Sequence, residues 1–144
     1  MGREQLEELR RHGYYLSVPH GVSMRPMIDD RRGVVEIRVP DREIRRYDVV
    51  MYDRGGVGVI HRVLHVRPDH YEIAGDNCRT VEIVPKDDVA GIAVRFMRNG
   101  KWHDCTELGY RIYAHVWTDL FFIRRPVFRV RDAVKRRLHK TKTD

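Results

Sequence analysis

The sequence has few cysteines and no long apolar run. Only Cys78 and Cys105 occur among its 144 residues, and their positions form no paired spacing. A disulfide framework is therefore excluded, and we expect free thiols in a reducing compartment. No stretch approaches the roughly 20 apolar residues that a membrane-spanning helix needs. The charged first ten residues are typical of a short helix and not of a secretory signal.

Internal repeats and low-complexity tracts are also absent, which excludes repeat and fibrous architectures. The length suits one folded domain whose core needs no disulfides. The net charge of +7 is concentrated at one end, since residues 1–119 hold 19 basic and 19 acidic side chains while residues 120–144 hold nine and two. A neutral body with a basic appendage predicts a localised docking function.

Short β-branched runs separated by turn residues dominate the first 106 residues. A helix is predicted at 3–12. Strands are predicted at 14–18, 34–39, 48–52, 57–67, 70–74, 89–97 and 101–105. Asn99-Gly100 is a favoured two-residue hairpin turn. The pattern predicts a mainly β fold, built as a curled antiparallel sheet or small barrel.

In the last part of the chain apolar residues recur at helical spacing instead. The pattern predicts a helix over 108–123, limited by Pro126, and a second amphipathic segment over 127–138. The residues of that segment expected to face inward are Val127, Val130, Val134 and Leu138. We therefore divide the chain into a β domain, 1–106, and a helical basic extension, 107–144.

The basic extension has three interpretations that the sequence leaves open. It is a capping helix with a solvated end, a segment that contacts an anionic membrane surface, or a docking site for an acidic protein or nucleic acid. Nucleic acid is disfavoured because no aromatic residues interleave the basic stretch. The expected location is the cytoplasm, with peripheral attachment at the inner membrane surface as the alternative.

Three side chains supply the parts of a serine hydrolase. Ser23 lies in an uncommon Ser-Met-x-Pro sequence, His61 in a β-branched run, and Asp76 in Gly-Asp-Asn. A serine hydroxyl is a weak nucleophile until an imidazole of pKa near 6.5 takes its proton. A carboxylate on the other ring nitrogen fixes the tautomer, and the backbone N–H of Ser23 is the natural donor to an oxyanion.

Each candidate also has an ordinary structural interpretation. Ser23 is a turn serine before a proline, His61 a satisfied strand histidine, and Asp76 a turn residue. His61 and His65 are four residues apart, but in a strand they lie about 13 Å apart, too far for one zinc ion. We predict no metal and no other cofactor, and we interpret Cys78 as a buried thiol.

Five segments together carry a resemblance to a known family. They are Gly21–Met27, Arg46–Tyr52, Val59–Val63, Ile73–Asn77 and Asp88–Gly91. These segments occur in the family's order within residues 18–92. On this basis the chain resembles the S26 signal-peptidase family of the S24/S26 serine peptidases, in its Ser/His form.

The resemblance implies a role for each candidate residue. Ser23 would attack a peptide carbonyl, His61 would be the general base, and Asp76 its supporting acid. Glu82 is the alternative acid, because Ser/His relatives often carry a second acidic residue after this segment. The resemblance also implies a preference for small side chains before the cleaved bond. Many relatives carry a serine two residues before the nucleophile as a second oxyanion donor, and this chain has Gly21 there.

The expected function is therefore that of a serine endopeptidase acting on an extended peptide or precursor leader. Membrane-embedded signal peptidases carry a hydrophobic anchor ahead of the nucleophile, which is not found before Ser23. We therefore expect a small cytoplasmic precursor, or a peptide presented by a membrane partner, as the substrate.

Two alternatives come from other functional classes. One is an inactive peptide-binding module of the same fold, motivated by Gly21. The other is a self-cleaving DNA-binding regulator of the related S24 type. It is disfavoured because that family uses lysine as base and no DNA-reading helix pair precedes Ser23.

Overall fold

A computed structural model describes residues 2–140, and the side chains of residues 4–137. The α-helices are α1 (Gly2–His12), α2 (Leu108–Asp119) and α3 (Phe121–Lys140). The strands are β1 (Tyr14–Ser17), β2 (Val34–Arg38), β3 (Val49–Arg54), β4 (Val57–Val66), β5 (His70–Ala74), β6 (Glu82–Pro85), β7 (Val89–Arg98) and β8 (Lys101–Asp104). A 3₁₀ turn, Lys86–Asp88, leads into β7.

All the strands join one antiparallel sheet that curls into a half-barrel. The order is β1-β2-β7-β3-β4-β5-β6, with β8 paired to β7. The prediction of a mainly β fold with a curled antiparallel sheet, a short N-terminal helix and C-terminal helices is confirmed. The sequence did not predict β6, because it is a short edge strand that ends in a proline and has only one buried residue.

Alternate residues of the central strands fill two apolar clusters, as the two-residue period of a strand requires. Val49 and Met51 of β3 belong to a cluster that also contains Leu9 of α1. Val50 and Tyr52 belong to the cluster on the other side. Burial on both sides explains why β3 is apolar at four successive positions.

The C-terminal helices differ from the prediction at one point. Pro126 lies inside α3, so the prediction that it limits the helix is wrong. The break comes at Leu120 instead. The proline removes one backbone hydrogen bond, and tertiary contacts hold α3 on both sides of it. Arg124 donates to the carbonyl of Trp117 at 3.1 Å, and Arg131 donates to Asn77 Oδ1 at 2.7 Å.

The valines of α3 also face the opposite way from the prediction. Val127, Val130 and Val134 are exposed, while Leu138 lies outside the described side chains. The inward side of the helix pair is taken by aromatic residues, with Phe121 fully buried against Leu64 and Ala74. None of the described helices combines the length and apolar character that crossing a bilayer requires. The division at residues 106 and 107 stays a prediction.

Candidate active site

The loop between β1 and β2 presents Ser23 beside three anchored neighbours. Met24, Met27 and Ile28 are almost completely buried in the core. Ser23 itself is half-buried. The apolar residues of the Ser-Met-x-Pro-Met sequence therefore fix the loop, and the serine stays near the surface.

Gly21 occupies its position for a backbone reason. Its φ is +98°, in the region that glycine adopts without strain, and its N–H donates to Asp30 Oδ1 at 2.7 Å. A serine at this point would be strained. The position where the predicted resemblance would place a second oxyanion hydroxyl is therefore a glycine turn.

His61 projects from β4 with its ring almost wholly buried, and each edge of the ring has different neighbours. Nδ1 lies 3.1 Å from the hydroxyl of Tyr52 and 3.3 Å from Oε1 of Glu82. Nε2 faces Gly75, at the start of the loop after β5. One edge of the imidazole is thus held by an acid and a phenol, and the other is directed toward the loop that contains the predicted Asp76.

Gly75 is where the predicted nucleophile and base come together. A Cβ atom at residue 75 would stand 2.6 Å from the carbonyl oxygen of Ser23 and 3.1 Å from His61 Nε2. It would also stand 2.7 Å from the sulfur of Cys78. Only glycine allows this approach without displacing a neighbour. The structure therefore brings the Ser23 backbone and the Nε2 edge of His61 to the same point.

The carboxylate of Asp76 is engaged elsewhere. It accepts two hydrogen bonds from Arg62, at 2.7 and 2.8 Å, and one from the hydroxyl of Tyr113 at 2.6 Å. Arg62 and Asp76 are both completely buried. Glu82, the alternative acid, is the one that lies against Nδ1 of His61.

Tyr52 and Arg54 join Glu82 in a network that sequence reasoning missed. Tyr52 donates its proton to Glu82 Oε2 at 2.9 Å, and Arg54 donates to the Tyr52 hydroxyl at 3.0 Å and to Glu82. Burial raises the pKa of Tyr52, so the phenol keeps its proton. Having donated to Glu82, the phenol is left to accept from Nδ1–H of His61, and in that tautomer Nε2 carries a lone pair. The sequence signal that could have revealed this network is the two-residue spacing of Tyr52 and Arg54, which places both side chains on one face of a strand.

Burial lowers the pKa of His61, while the charge of Glu82 opposes that shift. The imidazole is therefore neutral at neutral pH, which is the form that accepts a proton. Burial raises the pKa of Cys78, so this neighbouring sulfur is held as the thiol. The electrostatics of the site favour a histidine base acting on a hydroxyl over a thiolate nucleophile.

The C-terminal helices hold the loop that carries Gly75 and Asp76. The indole N–H of Trp117 donates to the carbonyl of Asp76 at 2.7 Å, and Arg124 donates to the same oxygen. Asn77, bound by Arg131, donates its backbone N–H to the carbonyl of Ser23 at 2.7 Å. A chain of hydrogen bonds therefore runs from α3 through this loop to Ser23.

Two cavities lie away from this point. One of about 600 Å³ lies between α2 and the segment before β3, and is lined by arginines that include Arg42 and Arg111. Another of about 250 Å³ lies between Phe96 and Tyr113. Neither is lined by Ser23 or His61.

The arrangement is chemically suited to general-base activation of a hydroxyl. It supplies the neutral imidazole of His61, the carboxylate of Glu82 beside Nδ1 and the Ser23 loop beside Nε2. Sequence comparisons with models of known families and with curated proteins find no match.

Proposed function

We propose that this chain is a serine endopeptidase of the signal-peptidase type. The observation that carries the proposal is the meeting of the Ser23 loop with Nε2 of His61 at Gly75, while Glu82 holds Nδ1. In the proposal Ser23 is the nucleophile, His61 the general base, and Glu82 takes the supporting place that the resemblance gave to Asp76.

The proposed reaction proceeds through an acyl-enzyme. His61 Nε2 takes the proton of the Ser23 hydroxyl as its oxygen attacks the peptide carbonyl, with the Ser23 backbone N–H as the proposed oxyanion donor. The imidazolium returns the proton to the leaving amine, and the C–N bond breaks. Water then gives a proton to Nε2 as its oxygen attacks the ester. The imidazolium passes that proton to the Ser23 oxygen as the ester C–O bond breaks, which releases the acid product and restores Ser23. Glu82 stabilises the imidazolium in both halves of the reaction.

The proposed substrate is an extended peptide, such as the leader of a small cytoplasmic precursor. β1 is an edge strand of the sheet and leads directly into the Ser23 loop, so a peptide could add along it. Cys78 and Cys105 are both unpaired, which suits the reducing compartment that we propose.

A peptide library read by mass spectrometry tests the proposal. Wild type should produce cleaved products that Ser23→Ala does not. Ser17→Ala is the matched control, because Ser17 is the only other serine in the chain. Equal cleavage by wild type and Ser23→Ala would contradict the proposal.

An inactive peptide-binding module is the second candidate, and the missing hydroxyl at Gly21 is the observation that favours it. A fluorophosphonate probe separates the two, since only an activated serine forms the covalent adduct. We expect wild type and Cys78→Ser to label and Ser23→Ala not to label. A peptide that binds to a wild-type protein that does not label would identify the binding module.

A further inference from the structure

Helices α2 and α3 carry a continuous apolar stripe on their outer side. Its members are Leu108, Ile112, Val116, Leu120, Ile123, Val127, Val130 and Val134, with steps of three or four residues throughout. Each is between 45% and 72% exposed, and no described side chain covers them.

A turn at Leu120 joins the two helices. The N–H of Leu120 donates to the carbonyl of Val116 at 3.1 Å, and the N–H groups of Ile123 and Arg124 donate to the carbonyl of Leu120 at 3.1 and 2.9 Å. The four-residue hydrogen bonds of α2 therefore end at Leu120, and those of α3 resume at Arg124. The members of the apolar stripe lie on both sides of this turn along the chain.

Other residues of the same helices attach them to the protein. Tyr113, Trp117 and Arg124 contact Asp76, and Arg131 contacts Asn77. These contacts fix which side of each helix meets the protein, and the stripe residues stay exposed.

Basic side chains occupy the rest of the surface of α3. With about 3.6 residues per turn, Arg125, Arg129 and Arg136 fall on the side of the helix away from the stripe, and Arg131 and Lys135 fall between that side and the stripe. Residues 120–144 hold nine basic and two acidic side chains, while residues 1–119 are balanced. A second copy of the chain on this face would bring two such basic segments together, which like-charge repulsion disfavours. An anionic surface would neutralise them.

We propose that the outer side of α2 and α3 docks on an anionic lipid surface, with the apolar stripe in the interface and the cations of α3 attracted to the headgroups. An apolar helix face combined with a basic polar face is the pattern that lies in the plane of a membrane. The proposal is independent of the peptidase proposal, because binding is measured without substrate.

Vesicle co-sedimentation of the full chain tests the docking. We expect binding to phosphatidylcholine vesicles containing about one third phosphatidylglycerol, and little binding to phosphatidylcholine alone. Salt at roughly 0.5 M should weaken the binding, because it screens the cations. The double variant Ile123→Gln and Val130→Gln should bind at least about tenfold more weakly.

The matched control is Val57→Gln with Val66→Gln, two exposed valines of the sheet that should leave binding unchanged. A thermal melt of both double variants checks that each folds as wild type does. Equal binding to the two vesicle types, or no binding to either, would overturn the proposal. So would a dimer in analytical ultracentrifugation that only the stripe variant dissociates, because the face would then be covered by a second copy.

Discussion

A single imidazole connects the two halves of the candidate site. The Nδ1 edge of His61 is fixed by Tyr52 and Glu82, and its Nε2 edge faces Gly75. The tautomer that a general base needs is thereby set by neighbours on β3 and β6. Two predictions concern these individual side chains.

Gly75→Ala should lower kcat/KM by roughly 100-fold, because the new methyl group would displace the Ser23 backbone or His61. Gly109→Ala is the matched control, since a Cβ there meets nothing within 4 Å. Cleavage of a library-derived peptide measures the effect. Activity of the Gly75 variant equal to that of the control would show that the junction at residue 75 is not where catalysis occurs.

Glu82→Gln should lower kcat/KM at least about tenfold and move the acid limb of the pH profile to lower pH. Burial lowers the pKa of His61, and the charge of Glu82 opposes that shift. Removing the carboxylate therefore lets the pKa of His61 fall further. For wild type the acid limb should already lie below about pH 6.5. Glu72→Gln, which removes the partner of His65, should leave the profile in place. An acid limb that moves in Asp76→Asn and not in Glu82→Gln would instead make Asp76 the supporting acid, as the sequence predicts.

Among the elements of the fold, β4 is joined to the loop after β5 by the pair of Arg62 and Asp76, and α2 joins them through Tyr113. The pair is fully buried, and the hydroxyl of Tyr113 shares the carboxylate. Removing one member of such a pair costs stability, because the other charge remains buried without its partner. Its position in the loop beside Ser23 assigns Asp76 a structural task.

Asp76→Asn should therefore lower the free energy of unfolding by about 3–5 kcal/mol, measured by urea titration. Asp119→Asn is the exposed counterpart, because Asp119 pairs with Arg46 at the surface. That change should cost less than about 1 kcal/mol. Similar small losses in both variants would mean that the buried pair contributes little to stability.

The elements that the sequence predicted well are those whose signal is local. Alternation and the Asn99-Gly100 turn located most of the strands, since a strand period and a hairpin turn are read within a few residues. The role of Glu82 was open because it depends on β6 lying beside β4 through β5, a long-range pairing. The outward valines of α3 were wrongly predicted because periodicity identifies a face and does not say what that face meets.

The whole molecule holds its shape without a covalent cross-link. Cys78 and Cys105 are both unpaired, and burial raises the pKa of Cys105 to about 12. The sheet, the two apolar clusters and the C-terminal helices therefore supply the stability of this chain by packing and hydrogen bonding alone.

The melting temperature should consequently be the same with and without dithiothreitol, and this is checked by circular dichroism. Iodoacetamide at about pH 8 should modify Cys105 slowly in the native protein and quickly in guanidinium, because only unfolding exposes a thiol that ionises normally. A melting temperature that falls on reduction would reveal a disulfide and contradict the unpaired state.

The Ser23 loop follows the edge strand β1, whereas His61 belongs to β4, so the curvature of the sheet has a consequence for thermal inactivation. Ser23 is tied to the loop beside His61 by one backbone hydrogen bond from Asn77, and a slight flattening of the half-barrel would draw Ser23 and His61 apart while the strands stayed paired. Openings of this kind require less free energy than global melting. On a slow temperature ramp, turnover should thus vanish several degrees before the β signal in the far ultraviolet changes.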